Sequence, residues 1–85
     1  MYYVYILQSD KDKKLYIGFT KDLKKRVQFH NLGLNTSTAR RRPLDLIYYE
    51  GYRSEKDAKN REKFLKSGRG HEVIYKQLSN YLKSK

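Results

Sequence analysis

The chain has 85 residues and a formal net charge of +11 at pH 7. This length predicts one domain spanning residues 1–85 with a thin core, since a chain of this size buries only about 60 to 65% of its unfolded surface. The absence of cysteine excludes disulfides and thiolate zinc sites. No apolar run approaches the roughly 20 residues of a membrane span, and the N-terminus has no signal pattern. We therefore expect a soluble, cytoplasmic protein with no membrane partner.

The positive charge predicts a polyanionic partner, because a strong field of one sign concentrates ligands of the opposite sign. Nucleic acid is the expected partner. A solubilising lysine coat and an anionic membrane surface are the alternatives that charge alone leaves open. Phosphate contacts are expected from the basic loop and the exposed helix faces, namely Lys21, Lys24, Lys25, Arg40, Arg41, Arg42, Lys59 and Lys66.

Two strand-like segments open the chain, at residues 2–8 and 15–20, and the polar residues 9–13 between them are typical of a hairpin loop. Side chains alternate along a strand, so Tyr3, Tyr5 and Leu7 should share one face and Val4 and Ile6 the other.

The second strand contains Tyr16 and Gly18. Its register allows the phenols of Tyr5 and Tyr16 to meet across one face of the sheet. A glycine inside a strand marks a place where another group approaches closely. The packing of two aromatic side chains across strands is the alternative interpretation of these tyrosines.

A helix is predicted next, with Thr20 as its N-cap and its end at about residue 31. Leu23, Val27 and His30 fall on one helical stripe, and Arg26 lies beside it. A polar loop over residues 31–42 follows, and its length is typical of an ordered binding loop.

The rest of the chain predicts a third strand and two more helices. The strand covers residues 44–49. Ser54 caps a helix over about residues 55–66, Ser67 to Gly70 end it, and a last helix begins at about His71. The order β-β-α-β-α-α indicates an α/β (α+β) fold, in which three helices flank a small three-stranded antiparallel sheet.

Glu62 is the most informative carboxylate, because it shares the stripe of its helix that should face the sheet. Arg61 partly shares this stripe. For an isolated glutamate, a salt bridge with Arg26 or a neighbouring lysine is the alternative to a catalytic role. The other acidic residues are scattered, which argues against a site that binds two metal ions.

These motifs resemble the GIY-YIG nuclease superfamily from Tyr2 to about Gly70. Residues 3–5 and 16–18 match the two signature strands, with Tyr3 in place of the first glycine. Tyr16, Arg26 and His30 keep the family's intervals, and the segment from Glu62 to Gly70 is similar to small stand-alone bacterial members. The domain is also similar to the N-terminal nuclease domain of a DNA-repair excinuclease and to GIY-YIG homing endonucleases.

The resemblance implies catalytic roles for Tyr5, Tyr16, Arg26, His30 and Glu62. Tyr16 would be the general base or would orient the attacking water, with Tyr5 as its companion. Arg26 would neutralise the scissile phosphate, and His30 would accept the tyrosine proton or bind that phosphate. Glu62 would hold one Mg²⁺ or Mn²⁺ ion, and no small-molecule cofactor is expected. Packing or capping is the alternative for His30.

The expected function is therefore a metal-dependent endonuclease that cleaves DNA with low sequence specificity and selects substrates by their structure or through a protein partner. RNA remains open as a substrate. A catalytically weak nucleic-acid-binding module with the same fold is the alternative, and Mg²⁺ dependence distinguishes the two because phosphate binding by basic side chains needs no metal.

Overall fold

A three-stranded antiparallel sheet forms the centre of the protein. The structure is a computed structural model that describes residues 1–84. Its strands are β1 (Tyr2–Ser9), β2 (Leu15–Thr20) and β3 (Leu44–Tyr52). The predicted α+β class and antiparallel sheet are confirmed, and β1 is the central strand.

Four α-helices are found in the described residues: α1 (Leu23–Asn31), α2 (Glu55–Leu65), α3 (Gly68–Gln77) and α4 (Ser79–Lys83). A short 3₁₀ helix, Ala39–Arg41, lies in the loop between α1 and β3. Within residues 1–84, no helix is long and apolar enough to cross a bilayer.

The central strand buries both of its faces, because helices cover the two sides of the sheet. One face packs against α2 and α3 through Val4, Ile6, Ile17, Ala58, Leu65 and Ile74. The other face packs against α1 through Tyr5, Leu7 and Leu44, with Leu23 and Val27 beside them. The predicted alternation along β1 is confirmed, and Tyr5 lies under α1.

The predicted start of α1 is wrong by two residues. Asp22, and not Thr20, is the N-cap, and its carboxylate accepts a hydrogen bond from the Lys25 backbone N–H. The Thr20 hydroxyl instead accepts a bond from the Asp22 backbone N–H. Both Thr20 and Asp22 have side-chain oxygens that could cap this helix, and Asp22 is the one whose carboxylate reaches the free N–H group three residues later. Arg26 consequently lies in the first turn of α1.

The segment from Ser67 to Gly70 begins a helix, where the sequence predicts only a break. The Ser67 hydroxyl accepts a bond from the Gly70 N–H and caps α3, which starts at Gly68. A Cβ on Gly70 would lie 1.9 Å from the Phe64 carbonyl oxygen. Glycine therefore allows α3 to turn back directly against the end of α2. The predicted last helix is divided at Leu78 into α3 and the short α4.

Candidate active site

The Tyr5 side chain crosses its neighbouring strand at Gly18. The two residues are cross-strand partners, and a Cβ on Gly18 would lie 2.3 Å from both Cζ and Oη of Tyr5. Tyr5 is only 1% exposed. The group that approaches Gly18 is thus the tip of Tyr5, which the missing side chain lets pass from β1 toward the β2 side of the sheet.

A chain of buried hydrogen bonds begins at this hydroxyl. Tyr5 Oη lies 2.8 Å from His30 Nε2, and His30 Nδ1 lies 2.8 Å from Thr38 Oγ1. The Arg26 Nε–H donates to Tyr5 Oη over 3.4 Å. His30 and Thr38 are both 0% exposed. The loop after α1 is therefore joined to the site through Thr38.

The protonation of this chain follows from burial and donor geometry. Burial lowers the pKa of His30, and the positive charge of Arg26 lowers it further. Burial raises the pKa of Tyr5, so both groups are neutral near pH 7. Tyr5 accepts from Arg26, so its own proton is donated to His30 Nε2, and the His30 Nδ1–H is donated to Thr38. Every buried polar side-chain atom in this series of hydrogen bonds then has a hydrogen-bond partner.

Tyr16 differs from Tyr5 in the hydrogen bonding of its hydroxyl. Its ring packs edge-on against His30, with centroids 4.9 Å apart, and lies 6.4 Å from the ring of Tyr5. Tyr16 is half-buried, and its hydroxyl has no hydrogen-bond partner within residues 1–84. Of the two phenols, only that of Tyr16 is open to a water molecule or a substrate.

The Arg26 guanidinium stacks on an aromatic ring and has no acidic partner within residues 1–84, so its charge is available to bind a phosphate. It stacks over the Phe29 ring, with Cζ 4.3 Å from the ring centroid. The ion pairs of residues 1–84 do not include Arg26. An arginine with one N–H donating to a phenol and no acidic partner retains donors for a phosphate oxygen.

Glu62 lies near Tyr5 but pairs with a lysine. Its charge contributes to the raised pKa of Tyr5, although burial is the larger cause. Its Oε2 lies 3.0 Å from the Lys66 ammonium, and the lysine side chain is 53% exposed. Of the two alternative partners, the structure pairs Glu62 with the neighbouring lysine and not with Arg26. An ion pair with so exposed a partner contributes little stability, so Lys66 is easily displaced.

The comparison with known families agrees with this arrangement. Residues 1–75 match the model of the GIY-YIG catalytic domain. The chain belongs to the GIY-YIG family. A GIY-YIG domain implies a nuclease that acts on nucleic acid, and nucleases of this family generally depend on a divalent metal ion.

Small bacterial UPF0213 proteins are similar to this GIY-YIG protein. It is 42% identical over 67 residues to the UPF0213 protein CPE1444 of Clostridium perfringens, which covers 78% of this chain and 71% of the relative. A UPF0213 protein of Pediococcus acidilactici is 41% identical over 68 residues, covering 76% of this chain and 68% of its own. A third, from Streptococcus pyogenes, is 43% identical over 65 residues, with coverages of 75% and 70%. No solved structure matches the chain significantly.

The donor set of this GIY-YIG site fits a single hard cation. Glu62 is 21% exposed at its side chain, and only its Oε2 is engaged, by Lys66. In the part of the chain that the structure describes, no three acidic, histidine or cysteine side chains converge on one point. Mg²⁺ suits such a donor set, because it commonly takes one or two carboxylates and completes its octahedron with waters and phosphate oxygens.

The expected phosphate-binding residues differ in how freely they can move. Arg41 is tied down by an ion pair with Asp12 at 3.2 Å and by a bond to the Leu15 carbonyl. Lys59 pairs with Glu55 on its own helix. Exposed positions are occupied by Lys21, Lys24, Lys25, Arg40, Arg42, Lys59 and Lys66.

Two residues with important side-chain contacts cannot be identified from the sequence. Thr38 holds His30 from a loop eight residues away, and Glu50 on β3 binds Arg61 of α2 on the face of the sheet opposite Tyr5. No motif marks either residue, since a serine- and threonine-rich loop and one more scattered acid are ordinary features. The ion pair also explains why Arg61 lies partly on the sheet-facing stripe of α2, since from there its side chain reaches Glu50 on β3.

Proposed function

We propose that this protein is a metal-dependent endonuclease that hydrolyses phosphodiester bonds in DNA, with residues 1–85 acting as one catalytic domain. The proposal is supported above all by one contrast within the site. The Tyr5 hydroxyl is hydrogen-bonded inside the protein. The Tyr16 hydroxyl has no hydrogen-bond partner within residues 1–84, and its ring packs against the rings of Tyr5 and His30.

Tyr16 acts on the attacking water. Its phenol either accepts the water's proton or orients the water opposite the leaving group, and a positioned group of this kind contributes about 10² to 10⁴ in rate. The neutral His30 packs against the Tyr16 ring, and its Nε2 is occupied by Tyr5. His30 therefore contributes by holding both tyrosines in place, and the Tyr5 hydroxyl holds Arg26.

Arg26 binds the scissile phosphate. The hydrogen bond to Tyr5 and the stacking on Phe29 fix the guanidinium before the substrate arrives, so little reorganisation is needed when charge develops in the transition state. A preorganised cation of this kind is the largest contribution that such sites usually make.

Glu62 holds the metal ion through its carboxylate, and Mg²⁺ or Mn²⁺ is the ion that this donor set suits. When bound, the ion supplies positive charge that stabilises the leaving 3′-oxygen and the phosphate. Lys66 moves away from Glu62 when the ion binds and becomes free to contact the DNA backbone.

Exposed lysine and arginine side chains hold the nucleic acid by its phosphates. Such contacts position a substrate without reading its bases, so sequence specificity is low and selection depends on nucleic-acid structure or on a protein partner. The same contacts would accept RNA, which makes RNA the first alternative substrate to assay.

A catalytically weak nucleic-acid-binding module is the second candidate. The ion pair between Glu62 and Lys66 favours it, because a glutamate satisfied by lysine has less need of a metal ion. The two functions differ in metal dependence, since basic side chains bind phosphate without any metal.

A pair of tyrosine variants tests the proposed chemistry. Tyr16→Phe removes the open hydroxyl. Tyr49→Phe removes a hydroxyl from a residue that is 54% exposed and lies on β3, on the other side of β1 from Tyr16. With Mg²⁺ and labelled single-stranded, duplex and branched DNA, we expect Tyr16→Phe to lower the cleavage rate at least 100-fold and Tyr49→Phe to cleave normally. Equal rates in a folded Tyr16→Phe protein and the wild type would refute the role of Tyr16.

A further inference from the structure

Glu50 accepts four donors on the face of the sheet opposite Tyr5. The hydroxyls of Tyr48 and Tyr52 each donate to its carboxylate over 2.6 Å. Arg61 binds both oxygens, with Nε 3.0 Å from Oε1 and Nη2 3.0 Å from Oε2. The side chains of Glu50 and Arg61 are 14% and 28% exposed. This pair is bidentate, and Glu50 is the least exposed acidic side chain among the ion pairs of residues 1–84.

The pair connects two elements that have no other polar link. Among residues 1–84, it is the only hydrogen-bonded contact between β3 and α2. The apolar contact of α2 with the sheet is centred on Ala58 and Leu65, both 0% exposed, with Phe64 partly buried beside them. The Lys59 ammonium also lies 5.4 Å from the centroid of the Phe19 ring on β2. Apolar contacts are non-directional and tolerate a small roll of a helix about its axis, whereas the two directional bonds of the ion pair restrict the rotation of α2.

The rotation of α2 sets the position of Glu62. At 3.6 residues per turn, Ala58 and Leu65 fall on one line, and Arg61 and Glu62 lie about 50° to either side of it. Arg61 therefore points toward β3 while Glu62 points toward the β2 side, where the tip of Tyr5 emerges. A carboxylate about 6 Å from the helix axis moves about 1 Å when the helix rolls by about 10°. Displacement on that scale costs about 100-fold in a catalytic site.

We propose that Glu50 and Arg61 are positioning residues, which hold α2 in the rotation that presents Glu62 to the metal ion. The proposal rests on the metal-binding role of Glu62 under the proposed function. Groups that orient a metal ligand without touching the metal typically change metal affinity by about 10- to 100-fold when they are altered. Glu50 and Arg61 lie on the face of the sheet that α2 covers, and they act through the orientation of that helix without touching the metal or the substrate.

The test measures Mn²⁺ affinity by isothermal titration calorimetry, a readout that is independent of cleavage. Glu50→Gln keeps the shape of the side chain but loses its charge, and Arg61→Lys keeps the charge but loses the two-pronged contact. Tyr52→Phe is the matched control, because it removes one hydrogen bond from the same carboxylate and leaves the ion pair intact. Each protein is first shown to be folded by circular dichroism at the titration temperature.

We expect the Mn²⁺ dissociation constant to rise about tenfold in Glu50→Gln and in Arg61→Lys, and to change less than twofold in Tyr52→Phe. The half-saturating Mg²⁺ concentration for cleavage should rise in parallel, with excess Mg²⁺ restoring the rate and the KM for DNA unchanged. Wild-type affinity in either folded variant would overturn the positioning role, and so would an equal loss in Tyr52→Phe.

The failure of the proposed function gives a different result. Glu62→Ala should abolish the saturable Mn²⁺ binding of the wild type. If the wild type shows no Mn²⁺ binding that depends on Glu62, the metal role itself is wrong and the positioning role falls with it. If that binding is present but insensitive to Glu50 and Arg61, only the positioning role is wrong.

Discussion

Substitution of Gly18 by alanine should separate Tyr5 from His30. The added Cβ would lie 2.3 Å from Cζ and Oη of Tyr5, far inside the contact distance of two heavy atoms. Tyr5 is 1% exposed, so its ring has no free space into which it can swing. Either the strands move apart or the Tyr5 hydroxyl leaves His30 Nε2, which lies 2.8 Å away.

Two costs determine the size of the effect. Overpacking of a close-packed core costs about 1 to 3 kcal/mol, and a buried histidine nitrogen that loses its donor costs about 1 to 3 kcal/mol more. The two are not fully additive, because relief of the clash is what breaks the hydrogen bond, so we expect about 3 kcal/mol. In a domain of this size, 1 kcal/mol corresponds to about 4 to 8 °C in Tm, and Gly18→Ala should therefore lower Tm by about 12 to 24 °C.

Differential scanning calorimetry measures this change, and Gly68→Ala provides the matched control. A Cβ on Gly68 meets no atom within 4 Å, and the residue begins α3, where alanine is the better helix former. Gly68→Ala should therefore leave Tm unchanged or raise it slightly. A Gly18→Ala protein within about 2 °C of the wild type would refute the path of Tyr5 across β2.

Three further predictions concern the site and its surroundings. Thr38→Val removes the acceptor of the His30 Nδ1–H and should cost about 1 to 3 kcal/mol in urea unfolding, whereas Thr38→Ser keeps the hydroxyl and should cost less than about 1 kcal/mol; equal losses would contradict the hydrogen bond. Because burial lowers the pKa of His30 in the folded protein, the unfolded chain binds the proton first as the pH falls below about 6.5, so Tm should decrease from pH 7 to pH 5; a His30 pKa at or above 6.5 by NMR titration would contradict this. Arg40→Ala should weaken DNA binding equally for all sequences and reduce the salt dependence by about one phosphate contact, and a loss confined to one sequence would contradict backbone binding.

Alternation and helical spacing predict most of the fold and part of the site. The faces of β1 follow directly from the period of a strand, so Tyr5 and Val4 are correctly predicted to lie on opposite faces. Alternation does not say which face α1 covers, and the structure places Tyr5 on that face. The stripe of α1 likewise predicts that His30 is buried. The cap of α2 by Ser54 is also confirmed, because capping depends on residues only three positions apart.

Features that depend on tertiary contacts are not predictable from these patterns. Gly70 is read as a helix break, although it permits the close contact of α2 and α3 that only the folded chain reveals. Thr38 and Glu50 acquire their partners across the fold, through residues 8 and 11 positions away in sequence. The different hydrogen bonding of the two phenols also depends on the tertiary structure, since Tyr5 lies in the central strand and Tyr16 near the start of an edge strand.

Cleavage by the wild type and by Glu62→Ala is the measurement that tests the central claim most directly. Both proteins, shown to be folded, are incubated with labelled single-stranded, duplex and branched DNA in Mg²⁺ or in EDTA. A single-metal nuclease predicts cleavage by the wild type in Mg²⁺ alone, lost in Glu62→Ala and in EDTA while salt-sensitive binding is retained. Binding that is equal in both proteins, with no cleavage of any DNA, would contradict the DNase function and leave a binding module or an enzyme that acts on RNA.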